Sequence, residues 1–181
     1  MKFIQTPFND AYIIEPVVHG DQRGFFMESY SQKLFSDAGI PCNFIQDNHS
    51  KSSAAGVLRG LHYQIPPMTQ TKLVRVTHGA VLDVIVDIRT KSPTFGQWFS
   101  VELSAQNFKM LLVPHGFAHG FCTLLPDTEF VYKVDSFYSP EHERGILWND
   151  PQLSISWPTV EPVMSKRDTV MPLFRDVQSP F

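Results

Sequence analysis

The run Val57-Leu58-Arg59-Gly60-Leu61-His62-Tyr63-Gln64 sets a permanent cation and a titratable imidazole inside a stretch of strand character. An imidazole changes charge near neutral pH and suits general acid–base work, whereas a guanidinium suits anionic oxygens. Arg59 and His62 stand an odd number of positions apart, so a regular strand points them to opposite faces. A bulge at Gly60 would bring them together, and without one the plain reading is a hydrogen-bonded core His and a surface Arg. Lys72 heads a row with Val74 and Val76, and Tyr132 aligns with Phe130 and Val134. Asp83 and Asp87 share a strand face with Val81 and Ile85, and carboxylates facing an interior need partners. In such surroundings Tyr132 could donate a proton, and Asp168 in the C-terminal tail could buttress His62.

Two further clusters bear on what could be bound. Val113-Pro114-His115-Gly116-Phe117-Ala118-His119-Gly120-Phe121 carries two His in a Gly-punctuated turn, and His119, which leads into a strand, is the better site candidate. Metal ligation in a cupin-type barrel needs a His-x-His pair, a following carboxylate and a further His, and here the first segment offers only His62. No protein-ligated metal is expected. His19-Gly20-Asp21-Gln22-Arg23-Gly24-Phe25-Phe26-Met27-Glu28 is a Gly-bracketed turn. Its Arg23, with Arg59 and Lys72, makes three cations able to hold a diphosphate by charge-assisted hydrogen bonds. Neither GxGxxG nor GxxxxGK[ST] occurs, so side chains rather than a helix N-terminus would grip phosphate. Tyr138, in Phe137-Tyr138-Ser139-Pro140-Glu141-His142-Glu143-Arg144, could stack on a base.

Short apolar runs separated by Gly, Pro, Asn, Asp and Ser must position these groups, which is the pattern of an antiparallel β architecture. The expected strands are Ala11 to Val18, Phe25 to Ser29, Gly56 to Gln64, Lys72 to His78, Ala80 to Ile88, Phe99 to Leu103, Lys109 to Val113, Ala118 to Leu124 and Glu129 to Val134. One short surface helix is expected, with Ser31 as N-cap, Leu34, Phe35 and Ala38 on one face and Gly39 as its stop. The Pro-rich tail from Pro158 should be mostly irregular and wrapped over the body. No repeat or linker divides the chain, so residues 1–181 read as a single domain. At this length a fold buries roughly 70% of its unfolded surface and needs no staple. A formal charge of −3 argues against wholesale attraction to nucleic acid or anionic membranes. No apolar run approaches a membrane span, no secretory leader is visible, and Cys42 and Cys122 read as reduced, buried thiols of a cytoplasmic protein.

Taken together, these segments resemble the dTDP-4-dehydrorhamnose 3,5-epimerase family, which makes a precursor of dTDP-L-rhamnose. The matching stretches include Arg23-Gly24-Phe25-Phe26, Gln46-Asp47-Asn48-His49-Ser50, Val57 to Gln64, Lys72-Leu73-Val74-Arg75-Val76, Asp83 to Arg89, Ser92-Pro93-Thr94-Phe95-Gly96, Gly116 to Phe121 and Tyr138 to Gly145, and they span nearly the whole chain. The resemblance implies an all-β, cupin-like jelly-roll β-barrel, a homodimer that exchanges N-terminal strands, and a reaction free of cofactor and metal. Its substrate would be a dTDP-4-keto-6-deoxy sugar, whose C3 and C5 protons are both α to the C4 ketone. His62 would be the base, Asp168 the carboxylate fixing its tautomer, Lys72 the stabiliser of the enolate oxygen and Tyr132 the proton donor on the opposite face. Arg59 and Arg23 would hold the diphosphate. Gln46, Asp47 and Asn48 would meet polar groups of the nucleotide, and Tyr138 with Phe26 would pack the thymine. Glu28, His119, Glu143 and Arg167 would complete the binding shell. The chain departs from the family pattern at Arg167, where Lys is usual, and at His115, where a small residue or Pro is commoner. Asp83 remains a rival to Asp168 as the partner of His62. Epimerisation at C3 or C5 alone, and a non-catalytic sugar-nucleotide-binding barrel, remain the alternative activities.

Overall fold

A computed structural model describes residues 1–181. Two antiparallel sheets face each other as a cupin-like jelly roll. The first sheet runs in the order β1 (Lys2–Gln5), β2 (Tyr12–Glu15), β10 (Met110–Val113), β7 (Lys72–His78), β12 (Thr128–Val134) and β5 (Gln46–Ser52). The second runs β13 (Glu143–Gly145), β6 (Leu58–Gln64), β11 (Phe117–Thr123), β8 (Ala80–Asp87) and β9 (Trp98–Ser104). The remaining strands, β3 (Val18–Asp21) and β4 (Gly24–Met27), pair only with each other.

Apolar side chains fill three layers. Between the sheets lie Phe8, Val74, Val76, Val81, Ile85, Leu103, Phe121 and Phe130 with their neighbours. Outside the second sheet, Leu61, Val84, Val86 and Ile88 pack against Leu153 and Phe174 of the C-terminal segment. Outside the first, Leu73, Met110 and Leu112 pack against Phe35 and Ile40. β8 is therefore buried on both faces, which is why it reads as a nearly continuous apolar run. Its two inward carboxylates find partners: Asp87 accepts from Arg89, Ser92 and Thr94, and Asp83 meets His119.

Several expected elements are refined. The run Ala11 to Val18 is not one strand, because Pro16 separates β2 from the β3–β4 hairpin. β5 has no apolar residue at all: Gln46, Asn48 and Ser50 turn inward and Asp47, His49 and Lys51 outward, so hydrophobic periodicity could not find it. The helix α1 spans Gln32–Asp37, preceded by Ser31, whose side chain makes no capping hydrogen bond. Phe35 is buried but Ala38 is exposed, and Ile40 beyond the helix fills the place expected of Ala38. The tail is irregular as read, yet it is pinned: Val163 forms a parallel bridge to Val57, and Asp168–Val170 makes one turn of 3₁₀ helix.

The bulge that Gly60 could permit is present. Along β6 against β11, His62 lies opposite His119 and Arg59 opposite Phe121, three steps against two. Arg59 and His62 thus reach the same cavity despite their odd spacing. Gly60 holds φ +131°, and a Cβ there would sit 2.5 Å from the Cα of Gly120, so the bulge depends on glycine where the two strands touch.

Candidate active site

A cavity of about 420 Å³ opens between the sheets, within the range of small-ligand sites. β6 brings Arg59 and His62 to it, β7 brings Lys72, β11 brings His119 and Phe121, and β12 brings Phe130 and Tyr132. The tail closes one side with Val163, Met164, Ser165, Arg167 and Asp168.

Asp168 is buried, and one of its oxygens lies 2.9 Å from His62 Nε2. The Gly60 N–H points at the other oxygen from 3.5 Å, and the Asp168 N–H donates to Ser165 Oγ at 3.1 Å. Burial alone would raise this carboxyl, but the hydrogen bond and charge of His62, with help from Ser165 and Gly60, hold it below the usual carboxylate range. An ionised Asp168 on Nε2 leaves Nδ1 of His62 to act as a base. Asp83, the rival, bonds His119 instead, with Nε2 at 3.0 Å from both of its oxygens.

Burial pulls Lys72 down to about 8, against the opposing pull of Glu143 and Asp83. Burial pushes the Tyr132 phenol up, and Glu143 adds to the push, so it keeps its proton at neutral pH. Phe121 and Phe130 stack with centroids 4.1 Å apart and give the cavity an apolar wall beside these polar groups. At the rim, Tyr138 and Arg167 both donate to Glu143, Tyr138 at 2.6 Å.

Other predicted site residues lie further off. Gln46 and Asn48 share the inward face of β5 with Ser50, which lines the cavity, and Gln46 Nε2 donates to Asn48 Oδ1 at 2.9 Å. Asp47 is turned to the opposite face of the sheet, where Lys133 donates to it at 2.8 Å; alternation along β5 puts it on the wrong side for this cavity. Arg23, Phe26 and Glu28 do not line the cavity of their own chain. Arg23 is 86% exposed and wraps Asp21 through Nε and Nη2, and Phe26 is 68% exposed. Ser50, Val163, Met164 and Ser165 line the site without having been marked in the sequence; Val163 to Ser165 arrive only because the tail folds back onto Val57. Cys122 is buried with its thiol pushed up to about 11 by burial, and His119 is engaged with Asp83, so the two form no nucleophilic pair.

Comparison with known proteins places this geometry in context. A family model described as dTDP-4-dehydrorhamnose 3,5-epimerase matches residues 5–176. A relative of that name from Shigella flexneri is 56% identical over 169 residues, covering 93% of each chain. The crystal structure of a dTDP-4-dehydrorhamnose 3,5-epimerase from Bacillus anthracis, with TDP and PPi bound, is 53% identical and superposes with a TM-score of 0.93 over 95% of this chain and 98% of its own. A dTDP-6-deoxy-D-glucose-3,5-epimerase from Legionella pneumophila, in complex with dTDP-4-keto-L-rhamnose, is 46% identical with a TM-score of 0.93 over 98% of this chain and 94% of its own.

Proposed function

This chain belongs to the dTDP-4-dehydrorhamnose 3,5-epimerase family and is an epimerase of that kind, and from this premise we propose which residues invert C3 and C5 of dTDP-4-dehydro-6-deoxy-D-glucose. The C4 ketone acidifies both neighbouring carbons. His62 removes the C3 proton, the electron pair moves onto O4, and the resulting enolate is reprotonated at C3 from the opposite face by Tyr132. Tyr132 regains its proton from water, His62 releases its proton to solvent, and the same cycle at C5 yields dTDP-4-dehydro-L-rhamnose. Lys72 donates to O4 as negative charge gathers there, an interaction commonly worth a few kcal/mol. Every step is redox-neutral proton transfer, so the chemistry calls for no electron carrier.

The observation that carries this reading is the His62–Asp168 pair at 2.9 Å in one cavity with an unpaired ammonium and a protonated phenol. Arg59 and Arg167, at the same cavity, would take the diphosphate, and Tyr138 and Glu143 at the rim the nucleoside. The test is an NMR time course of the substrate in deuterated buffer. Deuterium at both C3 and C5 with an L-configured product is expected, and exchange confined to one carbon overturns the double epimerisation.

The same proposal includes a homodimer that exchanges its β3–β4 hairpins. That hairpin pairs with neither sheet of its own chain and exposes Phe25 and Phe26. Across a two-fold axis it would carry Arg23, Phe26 and Glu28 to the partner's cavity, completing the cation set for the diphosphate and a platform for the thymine. A cytoplasmic location, where thiols such as Cys42 and Cys122 stay reduced, belongs to the same reading. No helix is long and apolar enough to cross a membrane.

A further inference from the structure

A second imidazole–carboxylate pair, left idle by the mechanism above, has its imidazole in the cavity wall and its carboxylate buried behind it. His119 of β11 is the register partner of His62 of β6, and its Nε2 lies 3.0 Å from both oxygens of Asp83. Asp83 is wholly buried, projecting from β8 into the space between the sheets. Lys72 enters that space from β7 on the facing sheet and lines the cavity without a salt bridge to any side chain of the chain. An ammonium drawn away from water gives up its proton unless a negative charge stands near.

The charged and titratable groups facing Lys72 are few. β13 contributes Glu143, already engaged by Arg167 and Tyr138. β6 contributes Arg59, a cation, and His62, which is shared with Asp168. β12 contributes Tyr132, which stays protonated. β11 contributes His119, and behind it β8 contributes Asp83. Two interior carboxylates are thus left by the guanidinium groups: Asp168, which lines the cavity and is committed to the catalytic His62, and Asp83, which His119 holds behind the cavity.

We propose that Asp83 is a positioning residue for Lys72: held behind the cavity wall by His119, in the space between the sheets that Lys72 also enters, its carboxylate is an interior counter-charge that helps keep the ammonium protonated and available to the substrate's carbonyl oxygen. The proposal rests on the reading of Lys72 as the group that meets the enolate. Burial brings Lys72 to about 8, a value from which loss of one counter-charge leaves it only about half protonated at neutral pH. The coupling is mutual, since Lys72 and His119 are the groups that favour the ionised form of Asp83 against its burial.

The test is an NMR pH titration of the Lys72 side chain in the substrate-free protein, with the signal assigned through K72R. Asp83→Asn keeps the shape and removes the charge. It is expected to lower the Lys72 midpoint by about one unit and to move the alkaline limb of kcat down by the same amount, with KM little changed. Where Lys72 is replaced by Arg, which does not titrate in this range, Asp83→Asn is expected to leave the alkaline limb in place. His119→Gln keeps the carboxyl group but removes the main partner that favours its ionised form, and is expected to lower the Lys72 midpoint, by no more than Asp83→Asn does. An unchanged midpoint in folded D83N, or a limb that still moves in K72R/D83N, overturns the proposal. Should D83N not fold, an unchanged Lys72 midpoint in H119Q, where Asp83 has lost the partner that keeps it ionised, overturns it too. The titration reads the ammonium without turnover, so it stands or fails apart from the catalytic part of Lys72, which Lys72→Met in the exchange assay tests separately.

Discussion

Tyr132 loses only an oxygen when replaced by Phe, and its ring keeps its place beside Phe130, 6.1 Å away between centroids. Tyr132→Phe should therefore fold as the parent does while inversion at C5 drops by about 10²-fold or more, the scale of a lost general acid. Deuterium exchange at C3 and C5, which needs only His62 and solvent, should suffer less, and inversion that survives in full would remove Tyr132 from the donor role. Asp168 gives a prediction with a definite sign. Its carboxyl is held below its unfolded value, so its contribution to stability is fully present above about pH 4 and fades as the pH falls through the folded value. Thermal unfolding of Asp168→Asn should show a deficit against wild type at pH 7 that narrows on acidification, and a deficit constant from pH 7 to pH 3 would contradict the ionised His62 partner. On the alkaline side the sign reverses. Lys72 is charged below about 8 and neutral above it, so wild-type kcat should fall as the pH rises through that value.

Among the elements, the β6 bulge is where the backbone and the chemistry depend on each other. Gly60→Ala would set a Cβ 2.5 Å from Gly120 Cα and 2.9 Å from the His119 carbonyl, in a backbone conformation that L-residues rarely adopt. A loss of about 2–4 kcal/mol in unfolding free energy is expected, with weakened dTDP binding because Arg59 no longer shares a face with His62. Full stability in urea titrations would show that the strand has another way to bend. The odd spacing of Arg59 and His62 around a glycine made this bulge legible in the sequence, and the alternation of β8 made legible that Asp83 would face inward. What stayed hidden had no apolar rhythm to announce it. β5 is built from Gln, Asp, Asn, His, Ser and Lys, and its strand character comes from pairing with β12 along its whole length rather than from its own side chains. The partner of Asp83 was likewise out of reach, because it depends on the register that sets His119 beside His62, a long-range fact that no local pattern carries. The tail could be read as irregular, with Asp168 as a candidate partner of His62, but not that it would also deliver Val163, Met164 and Ser165 to the site.

At the scale of the whole molecule, the single chain leaves Arg23, Phe26 and Glu28 on a hairpin that its own sheets do not use. The two phenylalanines there, Phe25 and Phe26, are 60% and 68% exposed, the kind of apolar surface that a monomer rarely leaves to water. Asp21 holds the Arg23 guanidinium through Nε and Nη2, which fixes its direction before any ligand arrives. If each cavity borrows its partner's hairpin, a site is a joint product of two chains, and defects in the two contributions can be separated. Arg23→Ala spoils what a chain lends, whereas His62→Ala spoils what it keeps. A mixed dimer of the two variants then contains one site with both defects and one site with neither. Unfolding the two inactive preparations together and refolding them should restore about a quarter of wild-type turnover, since half the dimers are mixed and each has one intact site of two. Turnover no greater than the mean of the separate variants would mean that every cavity is built by one chain, and Arg23 would lose its place at the diphosphate.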